Sequence, residues 1–129
     1  LETFTKNYTM AGGNRSPSEY YTADYGLVRF DPELRRNVVF SEHNLVTDAV
    51  FCEAHLILCR NVIIYFNREL QQRVFRLFNH SLGYRGFLGI GSKESIRFSG
   101  VSQQFATIDS RNNLFQKKAR PHGTAEGEE

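Results

Sequence analysis

The 129 residues carry 40% hydrophobic and 23% charged side chains, a balance that fits one globular domain and excludes wholesale disorder. The net charge is +2 with the histidines neutral, and no run of lysine or arginine forms a continuous stripe, so no nucleic-acid partner is expected. The two cysteines, Cys52 and Cys59, make neither a disulfide framework nor a zinc-like cluster. No metal is expected, and a reducing, cytoplasmic setting is. Arg60, Asn61 and Asn67 interrupt the longest apolar run well short of the roughly 18 residues of a membrane span. The first ten residues, LETFTKNYTM, lack the basic start and apolar core of a signal peptide, and they begin in mid-pattern without methionine, as a piece of a longer protein would.

In chain order, residues 1–10 read as the end of a helix closed by Ala11-Gly12-Gly13, where glycine takes the left-handed cap conformation. Residues 14–18 are loop-like around Pro17. Tyr20, Tyr21 and Tyr25 are expected to pack on a sheet face with their hydroxyls at the water boundary. Residues 25–30 alternate as a strand that stops at Asp31-Pro32, and Val38-Val39-Phe40 forms a second, short strand. Residues 56–58 form a third, apolar on consecutive positions as in a sheet covered on both faces.

Asn67 then stands as an N-cap, and Leu70, Val74, Leu77 and Phe78 recur at helical spacing. Arg68, Gln71, Gln72, Arg76 and Asn79 occupy the opposite, solvated face. Gly83 and Gly86 bracket a turn before a fourth strand at 87–90. Strand, helix, strand in this order reads as a βαβ unit with parallel pairing. Residues 105–108 and 114–117 flank 109–113 as an antiparallel hairpin at the sheet edge. The tail, 119–129, is small, polar and acidic from Pro121 onward and is expected to be disordered.

Ligands of open α/β sheets bind beyond the carboxyl ends of the parallel strands. Two expected strand ends turn polar there, one at His43-Asn44 and one at Arg60-Asn61. Either alone reads equally well as strand capping; both at one sheet edge point to a ligand crevice. A guanidinium offers paired donors to a carboxylate, and an amide both donates and accepts, so a polar small molecule suits them. Tyr65 falls near the same mouth, although a packing aromatic with a wet hydroxyl is its simpler role. Gly89-Ile90-Gly91 starts like a dinucleotide loop, but Lys93-Glu94-Ser95 stand where the third glycine should come. These glycines are better read as permitting close backbone approach at a strand end. No nucleophile elbow or triad is present, His55 reads as a core histidine, and nothing local brings Glu42 and Glu94 together as acid and base.

HNLVTD (43–48), LILCRNVIIYFNRELQQRVFRLF (56–78) and GFLGIGSKES (86–95) closely resemble the S-adenosylmethionine-dependent glutamate O-methyltransferases of bacterial chemotaxis, the CheR type. AGG (11–13), SEYYTADY (18–25) and IDSRNNLFQKK (108–118) fit the same pattern in the same order, so the resemblance runs to about Lys118. Its most specific part is the CRNVxIYF block. The resemblance implies the C-terminal part of a Rossmann-like class I methyltransferase sheet within 1–118, with a small antiparallel β-subdomain at about 14–37 and a terminal hairpin. It implies methyl transfer from S-adenosylmethionine to glutamate carboxylates of chemoreceptors or receptor-like partners, giving methyl esters and S-adenosylhomocysteine. Residue by residue, it implies Asn44 and Leu45 against the adenosine, Arg60 and Asn61 lining the methionine and transfer end, and Tyr65 at the transfer site.

Such chemistry fits the lack of a triad. A carboxylate is already nucleophilic and a sulfonium already activated, so positioning and desolvation suffice. The family's glycine-bearing cofactor loop, its acidic ribose-binding strand end and its N-terminal helical domain have no counterpart in these residues. The chain is therefore expected to be incomplete without an N-terminal part of the same protein, and to leave apolar sheet edges exposed. Lys93 stands where many members carry histidine. The alternative is a non-catalytic module of the same ancestry that docks a receptor or signalling partner by strand addition to the β-subdomain.

Overall fold

The computed structural model describes residues 1–50 and 52–120. They fall into two units, Leu1–Glu42 and the chain from His43 onward. In the first, helix α1 (Glu2–Met10) ends as expected at Gly12, whose φ of 87° is left-handed. An antiparallel ribbon follows, β1 (Tyr21–Asp24) paired with β2 (Leu27–Phe30). The expected single strand at 25–30 is thus a strand that begins at Leu27, because Tyr25 and Gly26 reverse the chain. Their φ values of 48° and 76° are both positive, as the tight two-residue hairpin turn requires. Glycine signals half of that turn and a left-handed tyrosine signals nothing, so the reversal is invisible to a period-two reading.

Phe4 and Tyr8 of α1 meet Tyr20, Tyr21 and Phe30 at ring-centroid distances of 5.2–6.3 Å, mostly tilted or edge-on. Tyr20 and Tyr21 pack as expected. Tyr25, at the turn tip, is 96% exposed. Residues 38–40 are not a strand: Val39 and Phe40 are exposed and the run has no strand neighbour among the described residues. β-branched side chains favour extended backbone, but a strand needs a partner to satisfy its hydrogen bonds.

The second unit holds a four-stranded mixed sheet and one long helix. β3 (Ala54–Cys59) leads through α2 (Arg68–Ser81) into the parallel strand β4 (Leu82–Ile90), the expected βαβ unit. β5 (Phe105–Asp109) and β6 (Leu114–Lys117) form the expected antiparallel hairpin, and the sheet order is β3-β4-β6-β5. The Asn67 side chain caps α2 by accepting from the Leu70 N–H at 2.9 Å. Val74, Leu77 and Phe78 are buried as their spacing predicts, joined by Phe75. Val74, Phe75 and Phe78 pack with Leu88 and Ile90 of β4, Cys59, Ile63, Val101, Phe105 and Phe115 in one core.

The expected turn at 83–86 is a bulge inside β4. Ala54 pairs with Leu82 but Leu56 pairs with Phe87, and Arg85 sits at φ 66°. α2 runs into β4 without a loop, and Lys117 Nζ covers the helix end by donating to the carbonyls of Asn79 (2.6 Å) and Leu82 (2.8 Å). Among the described residues β3 has β4 as its single strand neighbour, which leaves Leu56 and Leu58 at 54% and 66% exposure. His55 is exposed for the same reason and is not a core histidine. No helix among the described residues is long and apolar enough to cross a membrane.

The two thiols sit in opposite surroundings. Cys52 is exposed, while burial, aided by the nearby Glu94 charge, pushes the Cys59 thiol up to about 11. Because the thiolate is the reactive species, a soluble disulfide reagent at about pH 8 is expected to label Cys52 quickly and Cys59 only after urea unfolds the chain. Rapid labelling of both thiols in the folded protein would contradict this assignment.

Candidate functional site

Beyond Cys59 the chain turns through Arg60, Asn61 and Val62 into a single 3-10 turn, Ile63–Tyr65, before Asn67 starts α2. Asn61 adopts a left-handed φ of 60°, a conformation asparagine tolerates far better than most residues. This turn leaves several backbone N–H groups without a sheet or helix acceptor, and burial makes that costly.

One side chain answers them. Glu94, 6% exposed, accepts from the N–H groups of Asn61 (2.9 Å), Ile63 (2.9 Å) and Ile64 (3.2 Å), and from Gly91 (2.6 Å) on its own turn. Hydrogen bonds to an ionised carboxylate are stronger than neutral ones, and here they offset the cost of burying a charge that forms no ion pair among the described residues. The Glu94 N–H in turn donates to the Gly91 carbonyl at 3.0 Å. Asn113 Nδ2 ties that turn to the β5–β6 hairpin through the carbonyls of Gly91 (2.8 Å) and Glu94 (3.0 Å). From α2, Gln71 Nε2 donates to the carbonyls of Ile63 and Phe66, both at 3.0 Å. Gly91 makes the approach possible: a Cβ there would stand 2.6 Å from Asn61 Oδ1.

The backbone of 61–64 is therefore held from three sides, yet two of its neighbours' side chains are unspent. Arg60 is exposed and Tyr65 is 81% exposed, and neither makes a side-chain hydrogen bond or ion pair among the described residues. The fixed loop thus presents a guanidinium and a phenol at the carboxyl end of a parallel strand, the edge at which open α/β sheets bind ligands.

The other expected strand end, His43-Asn44, follows no strand and folds instead into a closed turn. Asn44 Oδ1 accepts from the N–H groups of Val46 (2.9 Å) and Thr47 (3.3 Å), and the Asn44 N–H donates to Asp48 Oδ2 at 2.8 Å. That backbone donor holds the Asp48 carboxyl below its usual range. Leu45 packs against the core that receives Cys59 and Ile63, while Asn44 stays exposed. Local geometry alone thus accounts for asparagine at both 44 and 61. Both Glu94 oxygens face amides, which leaves that residue no acid–base role.

Sequence reasoning missed Glu94 as an organiser, and Asn113 and Gln71 as its supports. One local signal existed: a glutamate three residues after Gly91 reaches back to its N–H, the logic of a helix capping box. Gln71 sits on the face that helical periodicity assigns to solvent, and Asn113 shows only a left-handed φ of 52°.

Residues 9–114 match the model of the CheR methyltransferase, SAM binding domain. The chain belongs to this family. It is 49% identical over 117 residues to the Cher3 protein of Pseudomonas putida, covering 91% of this chain and 43% of that one. It is 42% identical over 87 residues to the chemotaxis protein methyltransferase of Listeria innocua, covering 67% of this chain and 32% of that protein. The chemotaxis protein methyltransferase of Vibrio parahaemolyticus is 29% identical over 93 residues, 71% of this chain and 33% of that one. The chain therefore spans less than half the length of these curated relatives. The mixed sheet with a separate antiparallel ribbon is that of a Rossmann-like methyltransferase portion.

The family is one of S-adenosylmethionine users, and the donor set at 60–65 fits that molecule. Arg60 matches an amino-acid carboxylate, and exposed Leu56 and Leu58 offer apolar surface on the strand that leads to it. Among the described residues no three His, Cys, Asp or Glu side chains gather as a metal site would need.

Proposed function

We propose that this chain carries the transfer-end loop of a methyltransferase that esterifies glutamate side chains of chemoreceptors or receptor-like signalling proteins. The supporting observation is the Glu94-held loop with Arg60 and Tyr65 left unspent. In this reading Asn44 and Leu45 bind the adenosine end of S-adenosylmethionine, and Arg60 and Asn61 its methionine end. When bound, S-adenosylmethionine supplies a methyl group already activated on sulfur. Arg60 and Tyr65 fix the approach of the glutamate carboxylate, whose oxygen forms the new bond to the methyl carbon as the carbon–sulfur bond breaks. The products are a methyl ester and S-adenosylhomocysteine, and no proton moves. Alignment and exclusion of water are what the loop contributes.

The remaining length of the relatives is assigned the rest of the cofactor site, and the receptor partner places the whole protein at the cytoplasmic side of a membrane. A graft of this chain in place of the matching segment of Cher3 tests the reading with methyl-labelled S-adenosylmethionine and a receptor cytoplasmic fragment. Base-labile label on the receptor is expected from the graft, and calorimetry should find no strong S-adenosylmethionine binding by the chain alone. Arg60→Ala in the graft should lower kcat/KM about 100-fold, the scale of a lost alignment. An active graft indifferent to Arg60→Ala would refute the role of that residue. Among the described residues the β1–β2 ribbon has strand neighbours on one side of each strand only, which favours docking by strand addition as a second reading. Receptor binding by a graft that transfers no label would select it.

A further inference from the structure

A cavity of about 420 Å³ opens on the outer side of the held loop, lined by Ile63, Ile64, Arg68, Lys93, Ser95 and Phe98 among others. The Arg68 guanidinium lies 5.0 Å from the centre of the Phe98 ring and that of Arg97 5.6 Å from it, so two cations share one aromatic ring. Lys93, which also lines the cavity, adds a third cation. None of the three forms an ion pair among the described residues, and Glu94, the acid that lines the cavity, has both oxygens occupied by backbone amides. Three cations beside the single Glu94 carboxylate leave the patch net positive, and an incoming anion relieves the repulsion among them. Phe98 is 60% exposed, and with Ile63 and Ile64 it offers apolar contact beside the charges.

We infer that this cavity docks an acidic polypeptide segment, the glutamate-bearing stretch that flanks the transfer target. The inference rests on the proposed function for the identity of that segment. The mixture of apolar floor and cationic rim suits carboxylates on short aliphatic stems, and the loop that forms one wall is the loop that carries Arg60 and Tyr65. Docking here sets where along a substrate the reactive glutamate falls.

The test measures fluorescence anisotropy with the chain as it stands and no S-adenosylmethionine. The probe is a labelled helical peptide of alanine with glutamate at every fourth position, compared with the same peptide carrying glutamine. The glutamate peptide should bind at least about tenfold more tightly than the glutamine peptide, and added salt should weaken it. Lys93→Glu/Arg97→Glu should weaken binding about tenfold or more, and the milder Lys93→Gln/Arg97→Gln by a smaller factor in the same direction. Arg111→Glu/Lys118→Glu, an equal charge change on exposed residues elsewhere in the same unit, should leave the affinity unchanged. Equal binding of the two peptides, or equal losses in the two charge-reversed variants, overturns the inference. A chain that discriminates the peptides while the graft transfers no methyl keeps this surface and refutes only the transfer reading.

Discussion

Glu94→Ala is expected to destabilise the unit that begins at His43 by about 4 kcal/mol, a large fraction of the roughly 5–15 kcal/mol available to a domain of this size. The substitution strands the N–H groups of Asn61, Ile63, Ile64 and Gly91, three of them on a segment about thirty residues earlier in the chain. Each unsatisfied buried donor costs roughly 1–3 kcal/mol, and water entering the space recovers part of that sum. Glu94→Gln keeps one acceptor oxygen but turns an NH₂ group toward N–H donors, so about half the loss is expected from it. Urea denaturation of the two variants gives the stability, and amide exchange at Asn61, Ile63 and Ile64 gives the local effect. Those amides should lose protection in Glu94→Gln even under conditions where the core amides of Val74 and Leu88 keep theirs. A loss below about 1 kcal/mol in Glu94→Ala would mean that the carboxylate does not hold the loop.

Gly91→Ala should be nearly as damaging, at about 3 kcal/mol, although it removes no hydrogen-bonding group. The added carbon would lie 2.6 Å from Asn61 Oδ1, 2.7 Å from Glu94 Oε1 and 2.9 Å from the Asn61 nitrogen. Glu94 Oε1 and the Asn61 nitrogen are the two partners of a bond that fixes the loop, so neither can move away without breaking it, whereas the exposed Asn61 side chain can turn aside. Relief requires the 60–64 segment and the Gly91–Glu94 turn to separate, which lengthens the bonds to Glu94. The denaturation midpoint and the exchange rates of the same three amides should therefore move in parallel with those of Glu94→Gln. In the Cher3 graft the variant should lose methyl transfer as Arg60→Ala does, through misplacement of Arg60 and Tyr65. An unchanged midpoint would show that the strand end tolerates a side chain and that close approach is not what glycine is for there.

Much of this was legible from residue order. Asn67 before a run of apolar residues at helical spacing announces α2 and its start, since a cap and a periodic stripe are both local signals. The apolar strand before it and the strand after it then compel parallel pairing. The CRNVxIYF block, at the carboxyl end of that first strand, located the candidate loop before any coordinate was known. Of the glycines expected to permit close backbone approach, Gly91 does so, with the Asn61 nitrogen 2.9 Å from a would-be Cβ, whereas Gly89 meets a side-chain carbon, Leu58 Cδ2, at 2.7 Å.

What tertiary structure decided was the division of labour among the polar residues. Arg60, Asn61, Asn44 and Tyr65 look alike in sequence, as polar groups at strand ends. In the fold Asn61 supplies a left-handed backbone and Asn44 closes its own turn, while the Arg60 and Tyr65 side chains make no hydrogen bond or ion pair among the described residues. Residues 38–40 have strand-forming side chains but no strand partner among the described residues, and 83–86 have turn glycines but continue as a strand, because pairing lies with distant residues. Glu94 shows the limit most clearly. Composition and periodicity describe a residue's neighbours along the chain, whereas the cost of an unmet buried N–H is settled by whatever the fold brings opposite it. Nothing around Asn61 indicates that its acceptor stands thirty-three residues later, and that long-range hydrogen bond is what makes a fixed loop out of a polar strand end.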